Sequence, residues 1–104
     1  MMRGPGADVL LARALVASAA AAGAPLAIAG SQTVPWHSAT FTGARHAIDA
    51  EAPAGATIDT WLASLGPRTV TLAGHLLADV TVTCVGNDDA RLRLRFDALT
   101  VAEH

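Results

Sequence analysis

Residues 70–101 read VTLAGHLLADVTVTCVGNDDARLRLRFDALTV, and this stretch decides the fold. Val70, Leu72, Leu76, Ala78, Val80, Val82 and Cys84 fall on even positions with mostly polar residues between them. The alternation resumes as Leu92, Leu94, Phe96 and Ala98, interleaved with Arg91, Arg93, Arg95 and Asp97. Side chains on a strand point to opposite faces in turn, so period 2 marks strands with one oily and one polar face. Gly86-Asn87-Asp88-Asp89 between the two runs is turn chemistry, because Gly and Asn tolerate positive φ. The stretch is therefore read as a long antiparallel hairpin over 69–101 that the rest of the chain covers.

The register of that hairpin sets what its polar face can do. If the two oily faces are to coincide, Asp79 lies opposite either Asp97 or Arg95. Like charges directly opposite are destabilising. The expected register therefore pairs Asp79 with Arg95 and leaves Gly86-Asn87-Asp88 as the loop.

Upstream, residues 1–6 are a short flexible lead and 7–22 are almost all helix formers, with Asp8 at the favourable N-terminal end. Gly23 and Pro25 stop that helix. A signal peptide is the rival reading of this segment, but Asp8 and Arg13 interrupt what should be an uncharged apolar run. Residues 25–50 hold a strand pair: Leu26, Ile28 and Val34 in the first strand, Trp36 to Ala50 in the second. The face changes phase between Phe41 and Ile48, which predicts a bulge near Gly43. Residues 57–65 make a second helix, with Thr57 as its N-cap. Its residues Ile58, Trp61, Leu62 and Leu65 fall on one stripe. Gly66-Pro67 ends it.

The fold class that follows is α+β, in the order α-β-β-α-β-β, with a four-stranded antiparallel sheet and two helices on one face. A ferredoxin-like βαββαβ domain takes this order when its first strand is moved to the C-terminus. The connection from the second strand through the second helix to the third is expected to be a right-handed crossover, with the second and fourth strands central and parallel neighbours. Two αββ halves packed differently are the alternative.

At 104 residues there is room for one domain and one core. The hydrophobic fraction of 52% is high and the charged fraction of 15% low, against averages of about 45–50% and about 25%. That excludes disorder and leaves oily surface for a partner. The net charge of −2 gives no bulk attraction to nucleic acid or to an anionic membrane. All seven basic residues are Arg, consistent with the coding bias of a GC-rich bacterial genome. The lone Cys84 excludes an internal disulfide and a multi-cysteine metal site, and it reads as a small buried hydrophobe. No charge-free stretch approaches a membrane span, so a cytoplasmic setting is expected, with export as the alternative should 1–24 be a signal peptide.

Three features could carry function. The Arg91-Arg93-Arg95 row could grip a carboxylate or phosphate, with Arg93, Arg95 and His75 as the candidate ligand set. The same row also reads as a solvated face. His46, beside Arg45 and Asp49, could support acid–base work. However, no HExxH, Gly-x-Ser-x-Gly or other catalytic motif accompanies it, and no cofactor or metal is implied. Finally, Leu77, Val85, Leu99 and Val101 are large apolar residues in the odd, polar phase. An open sheet face of that kind is most simply covered by a second copy, with Leu77, Leu99 and Val101 as interface residues. The expected function is a non-catalytic homodimeric binding or structural module; a small-anion-binding protein or enzyme using the Arg/His side is the alternative.

Overall fold

The computed structural model describes residues 6–103 of the chain, so the lead over 1–5 lies outside the described residues. The elements run α1 (Ala7–Ala21), β1 (Ala27–His37), β2 (Thr42–Pro53), α2 (Ala56–Ser64), β3 (His75–Asp88) and β4 (Arg91–Ala102). The four strands form one antiparallel sheet in the order β1-β2-β4-β3. This α+β arrangement is the spatial order of a ferredoxin-like sheet whose first strand has moved to the end of the chain. β2 and β4 are the central pair, but they run antiparallel, not parallel as expected. The reason is topological. The α2 crossover makes β3 parallel to β2, and β4 returns from β3 by a tight hairpin into the gap between them.

α1 ends where Gly23 takes φ 88° and the Ala24 N–H donates to the Ala19 carbonyl at 2.8 Å. A left-handed residue here satisfies carbonyls that the helix leaves open. α2 begins after Gly55, whose φ of 147° is a conformation that favours glycine. Thr57, the expected N-cap, therefore sits inside the helix; no side-chain cap closes its N-terminus.

Both helices pack on one face of the sheet. Leu11, Leu15 and Ala19 of α1 and Ile58 and Trp61 of α2 meet Ile48, Ala50, Ala52, Leu94, Phe96 and Ala98. The Trp61 ring meets Phe96 edge-on, with centroids 5.9 Å apart, and its indole N–H donates to Ser18 Oγ of α1 at 2.9 Å. One side chain thus links both helices to the sheet, and its polar end is satisfied as burial requires.

The hairpins differ from expectation in their turns. The β1–β2 turn is Ser38 to Phe41, so Trp36 closes β1 instead of opening β2. The Ser38 hydroxyl accepts the Phe41 N–H at 3.1 Å, and the Ser38 N–H donates to the Phe41 carbonyl at 2.8 Å. No bulge forms at Gly43; the register shift lies in β1, between Ile28 and Gly30. Residues 69–74 are not strand. His75 follows a turn at Gly74 (φ 78°), although Val70 and Leu72 are buried there against the core.

The β3–β4 turn is the two residues Asp89-Ala90, both at positive φ (48° and 65°), and Asp88 pairs with Arg91. Positive φ at both central positions matches the twist of the flanking strands. Gly86-Asn87-Asp88, the expected loop, is therefore strand. Two further register shifts, between Leu77 and Asp79 and between Cys84 and Gly86, place Asp79 opposite Leu99 and Arg95 opposite Thr83. The predicted Asp79–Arg95 pairing does not occur.

Candidate functional site

Among the described elements, none covers the sheet face away from the helices. Directly paired residues share a face, so the register reads its rows out. From the β1–β2 turn end they are Trp36-Gly43-Val101-Leu76, then Val34-Arg45-Leu99-Asp79, then Gln32-Ala47-Asp97-Thr81. Gly30-Asp49-Arg95-Thr83 follows, and then Glu51-Arg93-Gly86 across the last three strands. The face has two halves, one apolar and one charged.

In the apolar half, Val34 is 62% and Leu76 57% exposed, large values for such side chains in a sheet. Leu99, Val101 and Trp36 are half-buried. Trp36 lies over Gly43, whose Cα has no room for a Cβ between the indole and the Thr100 carbonyl. Glycine therefore allows the close approach of ring and backbone here.

In the charged half, Arg93 Nε lies 3.4 Å from Asp88, and Arg95 lies 3.9 Å from Asp49 and 3.7 Å from Asp97. These side chains remain substantially exposed, so each pair contributes only about 0–1 kcal/mol. Their effect is to answer each guanidinium with a carboxylate. Shallow hollows of about 310 Å3, beside Gln32, Asp49 and Arg95, and about 190 Å3, beside Arg45, Asp79 and Asp97, lie on this surface.

The candidate ligand residues separate. Arg93 and Arg95 share the charged half, but His75 stands opposite Ala102 at the other end of β4. Seven residues of strand at the usual rise put it roughly 24 Å from Arg95. His75 instead borders a hollow of about 300 Å3 with Arg68 and Glu103. Of the candidate interface residues, Leu99 and Val101 lie on the open face, while Leu77 is 4% exposed within the core. The register shift beside it turns Leu77 inward and Leu76 outward. Val85 sits at the second shift and is 54% exposed. Cys84, expected to be buried, is exposed because it lies on the edge strand β3, with its thiol 3.5 Å from the Gly86 carbonyl.

His46 is not paired with Arg45 or Asp49, which lie on the open face. It points to the helix side and is 3% exposed. Its Nδ1 is 3.0 Å from Thr33 Oγ1 and its Nε2 is 2.9 Å from Thr100 Oγ1. The sequence carries the signal: Ala44, His46, Ile48, Ala50 and Ala52 form one even-numbered, buried run. Among the described residues, no three His, Cys, Asp or Glu side chains converge to hold a metal ion. No helix among them is long and apolar enough to cross a membrane.

No family model matches the chain, and no curated protein matches its sequence. Among solved structures, the chain is similar to the type 4 fimbrial biogenesis protein PilO from Pseudomonas aeruginosa, with 18% identity and a TM-score of 0.45. The match covers 88% of this chain and 64% of the other, so the likeness spans somewhat less than two thirds of that protein's length.

Proposed function

We propose that the protein is a non-catalytic structural or binding module that acts as a homodimer, with the open sheet face as its interface. The observation that carries this reading is the register of that face. A twofold axis along the strands, between β2 and β4, lays β2 of one copy over β4 of the other at the same level. It sets Asp49 over Arg95, Glu51 over Arg93, and Trp36 with Gly43 over Leu76 with Val101. The charged rows and the Trp36-Gly43-Val101-Leu76 row are then self-complementary, as a twofold interface requires, while the row between them sets Arg45 over Leu99 and Val34 over Asp79. The anion-binding alternative has less support, because carboxylates of the same chain answer Arg93 and Arg95. A cytoplasmic setting is part of the proposal, and recovery in an exported fraction would overturn that part.

Sedimentation equilibrium tests the dimer. At micromolar concentration the expected mass is twice the 10.6 kDa of the chain. Val101→Asp, which the same axis sets against Gly43 beside Trp36, should return it to the monomer value without unfolding, since Val101 is only half-buried. Asp49→Arg should weaken association, and adding Arg95→Asp should restore it. A wild-type protein that sediments as a monomer at these concentrations sinks the proposal.

A further inference from the structure

We propose that the hollow between the α2–β3 connection and the end of β4 is a binding site for an aliphatic α-amino acid: Arg68 and His75 take its carboxylate, Glu103 its ammonium group, and the apolar surface between them its side chain.

The backbone builds this hollow from two turns. Gly66-Pro67-Arg68-Thr69 closes with the Thr69 N–H donating to the Gly66 carbonyl at 3.0 Å. Proline is favoured at the second position of such a turn because its φ is already set. The Thr69 hydroxyl braces the turn, accepting the Gly66 N–H at 2.6 Å and donating to the Ser64 carbonyl at 3.0 Å. Arg68 therefore stands at a fixed tip. Leu72-Ala73-Gly74-His75 closes in the same way, with the His75 N–H on the Leu72 carbonyl at 3.3 Å and Gly74 at φ 78°. Positive φ at the third position is what a type II turn requires. The Gly74 carbonyl then accepts the Glu103 N–H at 2.9 Å, which ties Glu103 to this second turn.

A guanidinium, an imidazole and a carboxylate thus border one hollow of about 300 Å3. That is the lower end of the range for small-molecule sites, so the ligand is small. Val70, Leu72 and Leu77, buried against the core, form its floor, and Leu76, 57% exposed, also lines it.

The charges decide the ligand class. Arg68 and Glu103 line the same hollow without meeting, and neither forms an ion pair among the described residues. A plain carboxylate would be held by Arg68 and repelled by Glu103, and a plain amine the reverse. A zwitterion answers both. A guanidinium grips a carboxylate through two parallel N–H donors, and the His75 ring N–H adds a third. The hollow beside Arg95 differs on both counts: Asp49 and Asp97 already answer that guanidinium, and no large apolar residue lines it. Of the lining of the proposed site only Leu76 belongs to the dimer face, so the site stands whether or not the chain dimerises.

Two-dimensional amide NMR of the wild-type chain, with L-leucine as the probe at neutral pH, tests this. Amide signals of residues 68–77 and of Glu103 should move and saturate at about millimolar leucine, since exposed charge pairs each contribute little. 4-Methylpentanoate lacks the ammonium group, 3-methylbutylamine lacks the carboxylate and glycine lacks the side chain. Each should bind several-fold more weakly than leucine. Arg68→Gln and Glu103→Gln, both at exposed positions, should each weaken leucine binding several-fold while the spectrum stays that of the folded chain. Glu103→Gln should at the same time strengthen the binding of 4-methylpentanoate, an inversion that a merely structural role would not produce. No movement with leucine in the tens-of-millimolar range, or movement spread over the whole sheet, overturns the proposal. So does wild-type binding of 4-methylpentanoate as tight as that of leucine, or unchanged leucine binding in both variants.

Discussion

Trp61 shows how much of the packing one residue can hold. Its ring is 3% exposed against Phe96, and its N–H reaches Ser18 on the other helix. Trp61→Ala should cost about 3–5 kcal/mol, through lost transfer energy and the cavity left behind. Trp61→Phe keeps most of the ring and drops the donor, so a loss of about 1–2 kcal/mol is expected from one hydrogen bond and some volume. Urea midpoints at constant slope check both. Trp61 is legible in the sequence because helical spacing alone puts it beside Ile58 on the buried stripe. His46 is misread although the even-numbered run from Ala44 to Ala52 carries it, because its neighbours Arg45 and Asp49 suggest charge chemistry that strand alternation sends to the other face. Cys84 is misplaced for a further reason: phase gives the face, but burial also needs a helix above it, and none covers that end of β3.

At the scale of the hairpin, one residue of offset rearranges everything beyond it. The period-2 pattern identifies both strands and the face that carries Leu94 and Phe96. It does not identify the register, because a bulge adds a residue without a compositional mark. The trace it leaves is Leu77 and Val85, large apolar residues out of phase, and each adjoins one of the two shifts. The turn is misassigned because Gly86-Asn87 looks better suited to positive φ than Asp89-Ala90. The chain places Ala90 at φ 65° regardless. An alanine there carries a steric penalty of roughly 1–2 kcal/mol. Ala90→Gly should relieve most of it and stabilise the protein by about 0.5–1 kcal/mol after the entropy cost of glycine. A rise in thermal midpoint checks this. A fall would mean that the turn adopts another geometry.

For the molecule as a whole, the order α-β-β-α-β-β and one oily face per strand are enough to give the layers and the spatial order of the sheet. They mislead on the polarity of the central pair, since a crossover fixes only the strands it joins and the inserted β4 takes its direction from the hairpin. The open face is half legible: Leu99 and Val101 belong to it by phase. Their neighbours Val34, Trp36 and Leu76 come from strands in which simple alternation inverts the phase or misplaces the turn.

The insertion of β4 between β2 and β3 also has a consequence during synthesis. The strand that fills the middle of the sheet is made after both of its neighbours. Until the ribosome has delivered residues 91–102, β2 and β3 have no strand between them, and the pairing of β2 with β4 spans distant parts of the chain. Such non-local closure is slow and leaves strand edges open while it is awaited. A nascent chain stalled just before Arg91 should be cut readily by protease, and the released chain, with Arg91 to Ala102 in place, should resist. The sheet therefore acquires its keystone last.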